Sequence, residues 1–539
     1  MKGEYLVDLE EEWHKLLKGL RGSLPQFKCR IKPGGQGEGF VSFCEDGVLH
    51  IEAEGSLAAS YACAQLSLAV KSGFLGEHLG LQQPIYPLRP LWIEGGQRVA
   101  VTDRTSISFP DCFDDAAFVS PRDSNVLNHF CWKLLQWGYN SVVFGRLDAS
   151  CHATPQEKRD LRLLFLFLQQ CGIKVFVCPT FSSQYDSECP VDGGCYSHVQ
   201  ADLSDLMVQT GSVDGLVWRS RAYAETFMAH PDAEQETRYD LIVKEAAMVK
   251  AAVGEKAQLL YFLPTPSYRE GRKQAKVIPS LLDDVPENTI VVFSPVAGEF
   301  WEDAASWHPV WDALRRIPDT SGTPLMPLVN VGGKGFGECL WPSIPYDTLD
   351  FVAGSTKRHA FCGIASVAYS FPMEEGILDC ALWTAGQLMW RDIPAVMLST
   401  AWLVATWPGC DYLNIQKTFE EVRCIAIAIE ALSCRAKEEA GDEGRQKTLV
   451  TASALLARLN LLKQAGPDTD SRVADQVRYF VRDGKRLVFD ALQKAKLPLG
   501  NVLEGDDLKP AFWTEIRNVT ERGIGGSAEV VRLERPNDP

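Results

Sequence analysis

Val213-Asp-Gly-Leu-Val-Trp-Arg-Ser-Arg-Ala-Tyr-Ala-Glu225 is a short apolar run that ends in a basic cluster and sets one carboxylate, Glu225, just past it. It is the fourth of eight such runs. The others are Pro90-Leu-Trp-Ile-Glu94, Ser141-Val-Val-Phe-Gly145, Lys174-Val-Phe-Val-Cys178, Gln258-Leu-Leu-Tyr-Phe-Leu263, Thr289-Ile-Val-Val-Phe293, Leu325-Met-Pro-Leu-Val-Asn330 and Phe361-Cys-Gly-Ile-Ala-Ser-Val367. Near-continuous apolar character is what strands buried on both faces require. Helical stretches separate most of them. Thr154-Pro-Gln-Glu157 reads as a capping box with proline at the first helical position, leading into Leu161 to Gln170 and stopped by Gly172. A second helix is expected over Ala233 to Val253, stopped by Gly254. Strand and helix alternating eight times between residues 85 and 376 predict an α/β fold, a (β/α)8 TIM barrel. An open doubly wound sheet would favour a glycine-rich phosphate loop after its first strand, and Gly95-Gly96 does not continue into one.

The chain is 539 residues long, so domains beyond the barrel are expected. Residues 1–84 read as a small α+β module, with a helix over Leu9 to Leu20, strands at Gly39 to Phe43 and Val48 to Ala53, and a helix over Ser56 to Val70. The prolines Pro84, Pro87 and Pro90 mark its end. Residues 377–539 read as a helical C-terminal region. Its stretches Leu378 to Trp390, Ala395 to Ala405, Phe419 to Ala440, Leu449 to Gln464 and Val473 to Ala495 alternate apolar and charged faces.

Composition narrows the partners. A formal net charge of -16 repels phosphate backbones and anionic lipid, which argues against nucleic acid and membrane surfaces as main ligands. The N-terminal residues are acidic where a signal peptide is basic, and no apolar run reaches the ~18 residues of a spanning helix. A cytoplasmic location is therefore expected. The 16 cysteines are scattered, mostly inside apolar runs, with no CxxC pair. Cys189, Cys195 and His198 have a spacing outside the usual zinc patterns, so buried thiols are expected rather than a metal site. No cofactor signature is present.

In a (β/α)8 barrel the residues just beyond each strand converge on one mouth. Here they include Arg219, Arg221, Tyr223 and Glu225 after strand four, Glu299 after strand six and Lys334 after strand seven, with Trp92 and Trp341 among the interspersed tryptophans. Carboxylates, aromatic surfaces and a few arginines suit a carbohydrate: rings stack on apolar sugar faces, arginines hold hydroxyls or a sugar carboxylate, and two acids split the bond. Each residue also has a plainer reading. Glu225 fits an exposed loop, Glu299 an acidic helix start, Arg219 and Arg221 pairing with rim acids, and the tryptophans a core.

The order of segments resembles the α-glucuronidases of glycoside hydrolase family 67 and, more loosely, the hexosaminidase-like barrels that share their N-terminal module. Gly39 to Leu75 is similar to that module. Phe181-Ser-Ser183, and Asp214 to Arg219 leading to Glu225, sit where the family has its third-strand loop and strand-four acid. Leu378-Asp-Cys-Ala-Leu-Trp-Thr-Ala-Gly-Gln-Leu-Met-Trp390 resembles the helix after the barrel, with its Gly-Arg-Leu-Ala-Trp core. The resemblance implies Glu225 as general acid and a carbohydrate as the ligand; a homodimer stands beside these as an expected partner, with the oligomeric state not fixed by the sequence. The chain also departs from the family. Where the family has an acid at the end of strand six, the sequence reads Val291-Val-Phe-Ser294. Where it has one at the start of strand seven, the sequence reads Met326-Pro327. The strand-four segment is two residues longer and lacks the family's Asn-Ser. Glu299 or Glu302, just downstream of strand six, is then the substitute base, Glu299 first, with Arg219, Arg221, Tyr223 and Lys334 as substrate contacts and Trp92 and Trp341 as stacking surfaces. The alternative is a catalytically silent barrel that binds a glycan or a protein partner.

Overall fold

The computed structural model of the chain describes residues 26–32, 35, 37–72, 80–93, 106–107, 124–148, 155–180, 203–204, 207–208, 211, 213–220, 235–263, 285–293, 324–331, 344–358, 361–368, 371–372, 376–438, 442–464 and 471–497. The helix expected over Leu9 to Leu20 lies outside them, as does Thr154 of the capping box. Two compact units are present: Met1–Phe300 with Ala305–Lys334 and Pro345–Tyr412, and Trp301–Ala304 with Gly335–Ile344 and Leu413–Pro539.

The first unit begins with β1 (Gln26–Ile31), β2 (Phe40–Glu45), β3 (Val48–Ala53), α1 (Ser56–Ser72) and β4 (Gly80–Gln82). The sheet runs β1-β3-β2-β4. Leu49, Ile51 and Ala53 alternate along β3 on its buried face, where Ala58, Ala59, Ala62 and Leu66 of α1 are also buried. The β1 strand pairs parallel to β3 at one edge. With Lys28 and Arg30 exposed, its apolar content is too broken to announce a strand.

The barrel follows. Its strands are β5 (Pro90–Ile93), then, after the short β6 (Ser106–Ile107) and α2 (Ser124–Trp137), β7 (Ser141–Asp148). After α3 (Pro155–Gln170) come β8 (Lys174–Thr180) and β9 (Gly215–Arg219), and after α4 (Gln235–Val253) come β10 (Gln258–Leu263), β11 (Thr289–Phe293) and β12 (Leu325–Asn330). Then α5 (Tyr346–Arg358) leads to β13 (Ala365–Ala368), which closes the barrel. A final short strand, β14 (Phe371–Pro372), pairs antiparallel with β6. The closed order is β5-β7-β8-β9-β10-β11-β12-β13, each neighbour parallel: a (β/α)8 barrel, as the spacing predicts. Three strands match the apolar runs end for end. The eighth starts later than expected, at Ala365, because Cys362 to Ile364 make only an isolated bridge, Leu88 to Gly363. Both expected glycine stops hold: Gly172 and Gly254 take left-handed φ of 83° and 89° just past α3 and α4.

Helices α6 (Ile377–Gln387) and α7 (Ala395–Thr406) complete the first unit. At Gly386 an added Cβ would lie 2.0 Å from the Trp137 carbonyl oxygen, so this glycine lets α6 press against the end of α2. That contact accounts for the Gly-Gln-Leu-Met-Trp segment singled out in the sequence. The two helices also share a buried ion pair. Lys133 Nζ on α2 lies 3.0 Å from both carboxylate oxygens of Asp379 on α6, and Trp137 Nε1 donates to Oδ1 at 2.7 Å. Neither charge reaches solvent to more than a few percent. Removing one partner of such a pair strands the other, whereas replacing both with apolar groups can be neutral. Lys133→Met is therefore expected to destabilise the chain by about 3 kcal/mol, and Lys133→Met with Asp379→Leu to recover most of it. Urea melts read this directly. A single variant as stable as the parent would show that the pair contributes nothing.

Burial also sets thiol chemistry. Burial pushes the Cys362 thiol up to about 12 and also raises the Cys63 and Cys380 thiols, in each case chiefly by loss of hydration. Cys44 is exposed. Iodoacetamide at pH 8 is expected to modify Cys44 in the native chain and to reach Cys63 and Cys380 only in denaturant, as peptide mapping would show. Early labelling of Cys380 would contradict its burial. Among the described residues no group of three metal-ligating side chains gathers. Cys189, Cys195 and His198 lie outside them.

The second unit holds α8 (Tyr412–Glu438), all but its first residue, with α9 (Asp442–Gln464) and α10 (Ser471–Lys494). Val473, Val477, Phe480, Val481, Val488 and Leu492 recur at helical spacing on α10 and are buried. Arg458 of α9 makes a two-pronged ion pair with Glu421 of α8, Nη2 to Oε2 at 2.6 Å. No helix among the described residues is long and apolar enough to cross a membrane.

Candidate functional site at the barrel mouth

Alternation along the strands decides which side chains look into the barrel. The interior cluster takes Trp92 from β5, Val143 from β7, Phe176 and Cys178 from β8, Val217 from β9, Leu260 and Phe262 from β10, Ile290 and Val292 from β11, Met326 from β12, and Ala365 and Val367 from β13. Leu328 packs against it. These are the every-second positions, so the inner face continues at the strand ends with Arg219, two beyond Val217, and Asn330, two beyond Leu328. The interior is a filled core. A ligand meets only its last row.

That row has a charge in it. The Arg219 side chain is exposed, and its guanidinium carbon lies 5.1 Å from the centroid of the Trp92 ring. Phe262, in register with Arg219, meets the same indole edge-on at 5.5 Å between centroids. A guanidinium over an indole face is attracted to the ring quadrupole and held in a narrow range of positions. Trp92 itself is 2% exposed.

The end of β9 is anchored from behind. Ser220 Oγ donates to Glu245 Oε2 of α4 at 2.7 Å. Tyr261 Oη donates to the same oxygen at 2.5 Å and lies 2.8 Å from Ser220 Oγ. Ser220 N–H donates to the Phe262 carbonyl at 2.9 Å. Glu245 is wholly buried. Two hydroxyl donors on one carboxylate oxygen satisfy a charge that the interior would otherwise reject. The effect is to fix the residue next to Arg219. At the opposite end of the strand, Asp214 Oδ2 accepts from Val175 N–H at 2.8 Å and Gln169 Nε2 at 3.0 Å, a structural clasp far from the mouth.

Of the residues expected at the site, the structure brings Trp92 and Arg219 together. Arg221, Tyr223, Glu225, Glu299, Glu302, Lys334 and Trp341 lie outside the described residues, as do Phe181 to Ser183. Asn330, Phe262 and the Glu245 anchor were not anticipated. Asn330 closes the apolar run of β12 and Glu245 follows Lys244 in a helix of mixed charge, and neither strand nor helix periodicity singles out such a residue. On the inner face of β11 and β12 the described positions are Ile290, Val292, Met326, Leu328 and Asn330, with no carboxylate among them.

No family model and no curated protein matches the chain. Solved structures do match in fold. A GH138 enzyme targeting pectin rhamnogalacturonan II aligns with a TM-score of 0.53 at 11% identity over 92% of this chain and 69% of that one. The GH20 β-N-acetylhexosaminidase from Streptomyces coelicolor A3(2) aligns with a TM-score of 0.47 at 12% identity, over 74% of this chain and 88% of that one. The β-hexosaminidase of Streptomyces plicatus gives a TM-score of 0.44 at 12% identity over the same shares of the two chains. At such identities the likeness is one of fold.

Proposed function

We propose that the chain is a glycoside hydrolase-like protein acting on a glycosidic linkage, with a uronic acid as the sugar and Glu225 as the general acid. One observation carries this reading. Arg219 presents an exposed guanidinium, seated on Trp92, at the end of the fourth strand and six residues before Glu225. A cation seated on an aromatic ring on the inner face of a barrel mouth supplies positive charge that draws a sugar carboxylate toward it. Arg221, Tyr223 and Lys334 would extend the polar surface, and Glu299 would serve as base. Trp341 would supply the stacking face, while Trp92 supports Arg219 from below. The pectin-targeting enzyme of like fold keeps sugar chemistry as the leading class, by analogy.

A second reading has its own support. The inner faces of β11 and β12, where the resembled family carries its base, are apolar up to Asn330. A barrel without a base would bind a glycan or a protein partner without turning it over. The two readings part on one experiment. The full-length chain is incubated with aryl glycosides and oligosaccharides of glucuronate, galacturonate, N-acetylglucosamine and rhamnose, with Glu225→Gln alongside. Oligosaccharide turnover that Glu225→Gln abolishes supports the hydrolase. Oligosaccharide turnover that survives the substitution removes Glu225 from the mechanism. Binding of a glycan with no turnover by the parent supports the silent barrel.

A further inference from the structure

Asn330, Val367 and Trp92 stand in one register row across β12, β13 and β5. Val367 and Trp92 belong to the barrel interior, so the row faces inward. It is the last row before the mouth, and Asn330 is only half-buried. Two polar atoms in it, Asn330 Oδ1 and Trp92 Nε1, are hidden from solvent and find no hydrogen-bond partner among the described residues. An orphaned buried polar atom carries a desolvation penalty with no return. One acceptor and one donor, both orphaned on the inner wall and the donor on the ring beneath Arg219, are what a ligand with hydroxyl groups would complete.

We infer that Asn330 and Trp92 form a hydroxyl-recognition subsite on the floor of the mouth. One ring hydroxyl of a sugar donates to Asn330 Oδ1, and a second accepts from Trp92 Nε1–H, while Arg219 faces the charged or polar substituent. A sugar hydroxyl is both donor and acceptor, so the pair reads orientation as well as presence. A site built to bond a hydroxyl rejects the analogue that lacks it, because the buried partner is then left unpaired. This subsite rests on the carbohydrate reading proposed above, and it goes further by making Asn330 a specificity residue that no base or acid assignment requires.

Stability and binding together test it. Asn330→Leu removes an acceptor that the folded chain leaves unsatisfied, so Tm is expected to stay level or to rise by about 2 °C. A structural carboxamide would instead lower it. Binding of glucuronate, galacturonate, N-acetylglucosamine and rhamnose to the full-length chain is measured by ligand-observed NMR titration. Asn330→Leu is expected to bind the preferred sugar about tenfold more weakly. The deoxy analogue lacking the contacted hydroxyl should lose the same factor against the parent and nothing further against the variant. Asn330→Asp, isosteric and still an acceptor, should retain the affinity for neutral sugars and covers the case in which leucine does not fold. Unchanged affinity in Asn330→Leu, or a clear fall in its Tm, overturns the subsite while the carbohydrate reading stands. A parent that binds none of the four sugars overturns both.

Discussion

Arg89→Met should melt about 5 °C below the parent, a loss of about 4 kcal/mol. Arg89 has no solvent exposure and sits just before β5, at the end of the barrel opposite the mouth. Its Nε donates to the Gly138 carbonyl at 2.8 Å and its Nη1 to the Tyr86 carbonyl at 2.7 Å. Nη2 is paired with the Glu38 carboxylate of the N-terminal module. The guanidinium also lies over two rings, 4.9 Å from Trp390 and 5.6 Å from Tyr61. Asn140 closes the network, accepting from Arg89 N–H at 2.9 Å and donating to Glu38 Oε1 at 3.0 Å. One side chain thus joins the module, the first strand, the turn before the second and the segment after α6. A methionine fills much of the volume and strands the Tyr86 carbonyl and a carboxylate, while the Gly138 carbonyl keeps its bond from Trp390 Nε1 at 2.9 Å. Glu38 retains some exposure, so its cost is partly offset by water. The comparison with Arg89→Met/Glu38→Met separates the terms. If the stranded charge dominates, the double variant regains more than half the loss; if the lost carbonyl bonds and ring contacts dominate, it regains little. A single variant that melts with the parent would show the junction to be held by apolar packing alone.

The barrel was legible in the sequence because parallel strands buried on both faces cannot hide their composition. Gln258 to Leu263 and Thr289 to Phe293 read as strands and are strands, end for end. Ser141 to Asp148 runs three residues past its apolar stretch because its mouth end carries Arg146 and Asp148, and charge there obscures the pairing with β8. The β1 edge was lost for a related reason: a strand with one neighbour and one wet face tolerates Lys28 and Arg30. For the site the limit is different. Sequence position put Trp92 and Arg219 near the mouth, but it could not say that the guanidinium lies on the ring. An exposed tryptophan platform and a buried one beneath a cation share the same alternation. Asn330 shows the same blindness from the other side: its meaning comes from the register that sets it beside Val367 and Trp92, and register is a property of neighbours distant in the chain.

Glu225→Gln should lower turnover of alkyl glycosides and oligosaccharides by about 10²–10⁴-fold, and turnover of aryl glycosides with acidic phenol leaving groups by about tenfold or less. The contrast follows from what a general acid does. It protonates the departing oxygen, and the need for that proton falls as the leaving group becomes a stable anion. A structural glutamate would affect both substrates alike. Glu299→Gln makes the second half of the argument, since a base that activates water is needed whatever the leaving group, and its loss should lower both rates together. The pH profile adds an independent readout. Rates of the parent fall at high pH as the acid loses its proton, and that alkaline limb should vanish from the Glu225→Gln profile while the acid limb, set by the base, stays. Should Glu225→Gln lower the two substrate classes by one common factor with the alkaline limb intact, the proton comes from elsewhere. The cation on Trp92 would then mark a binding surface beside a mechanism not centred on Glu225.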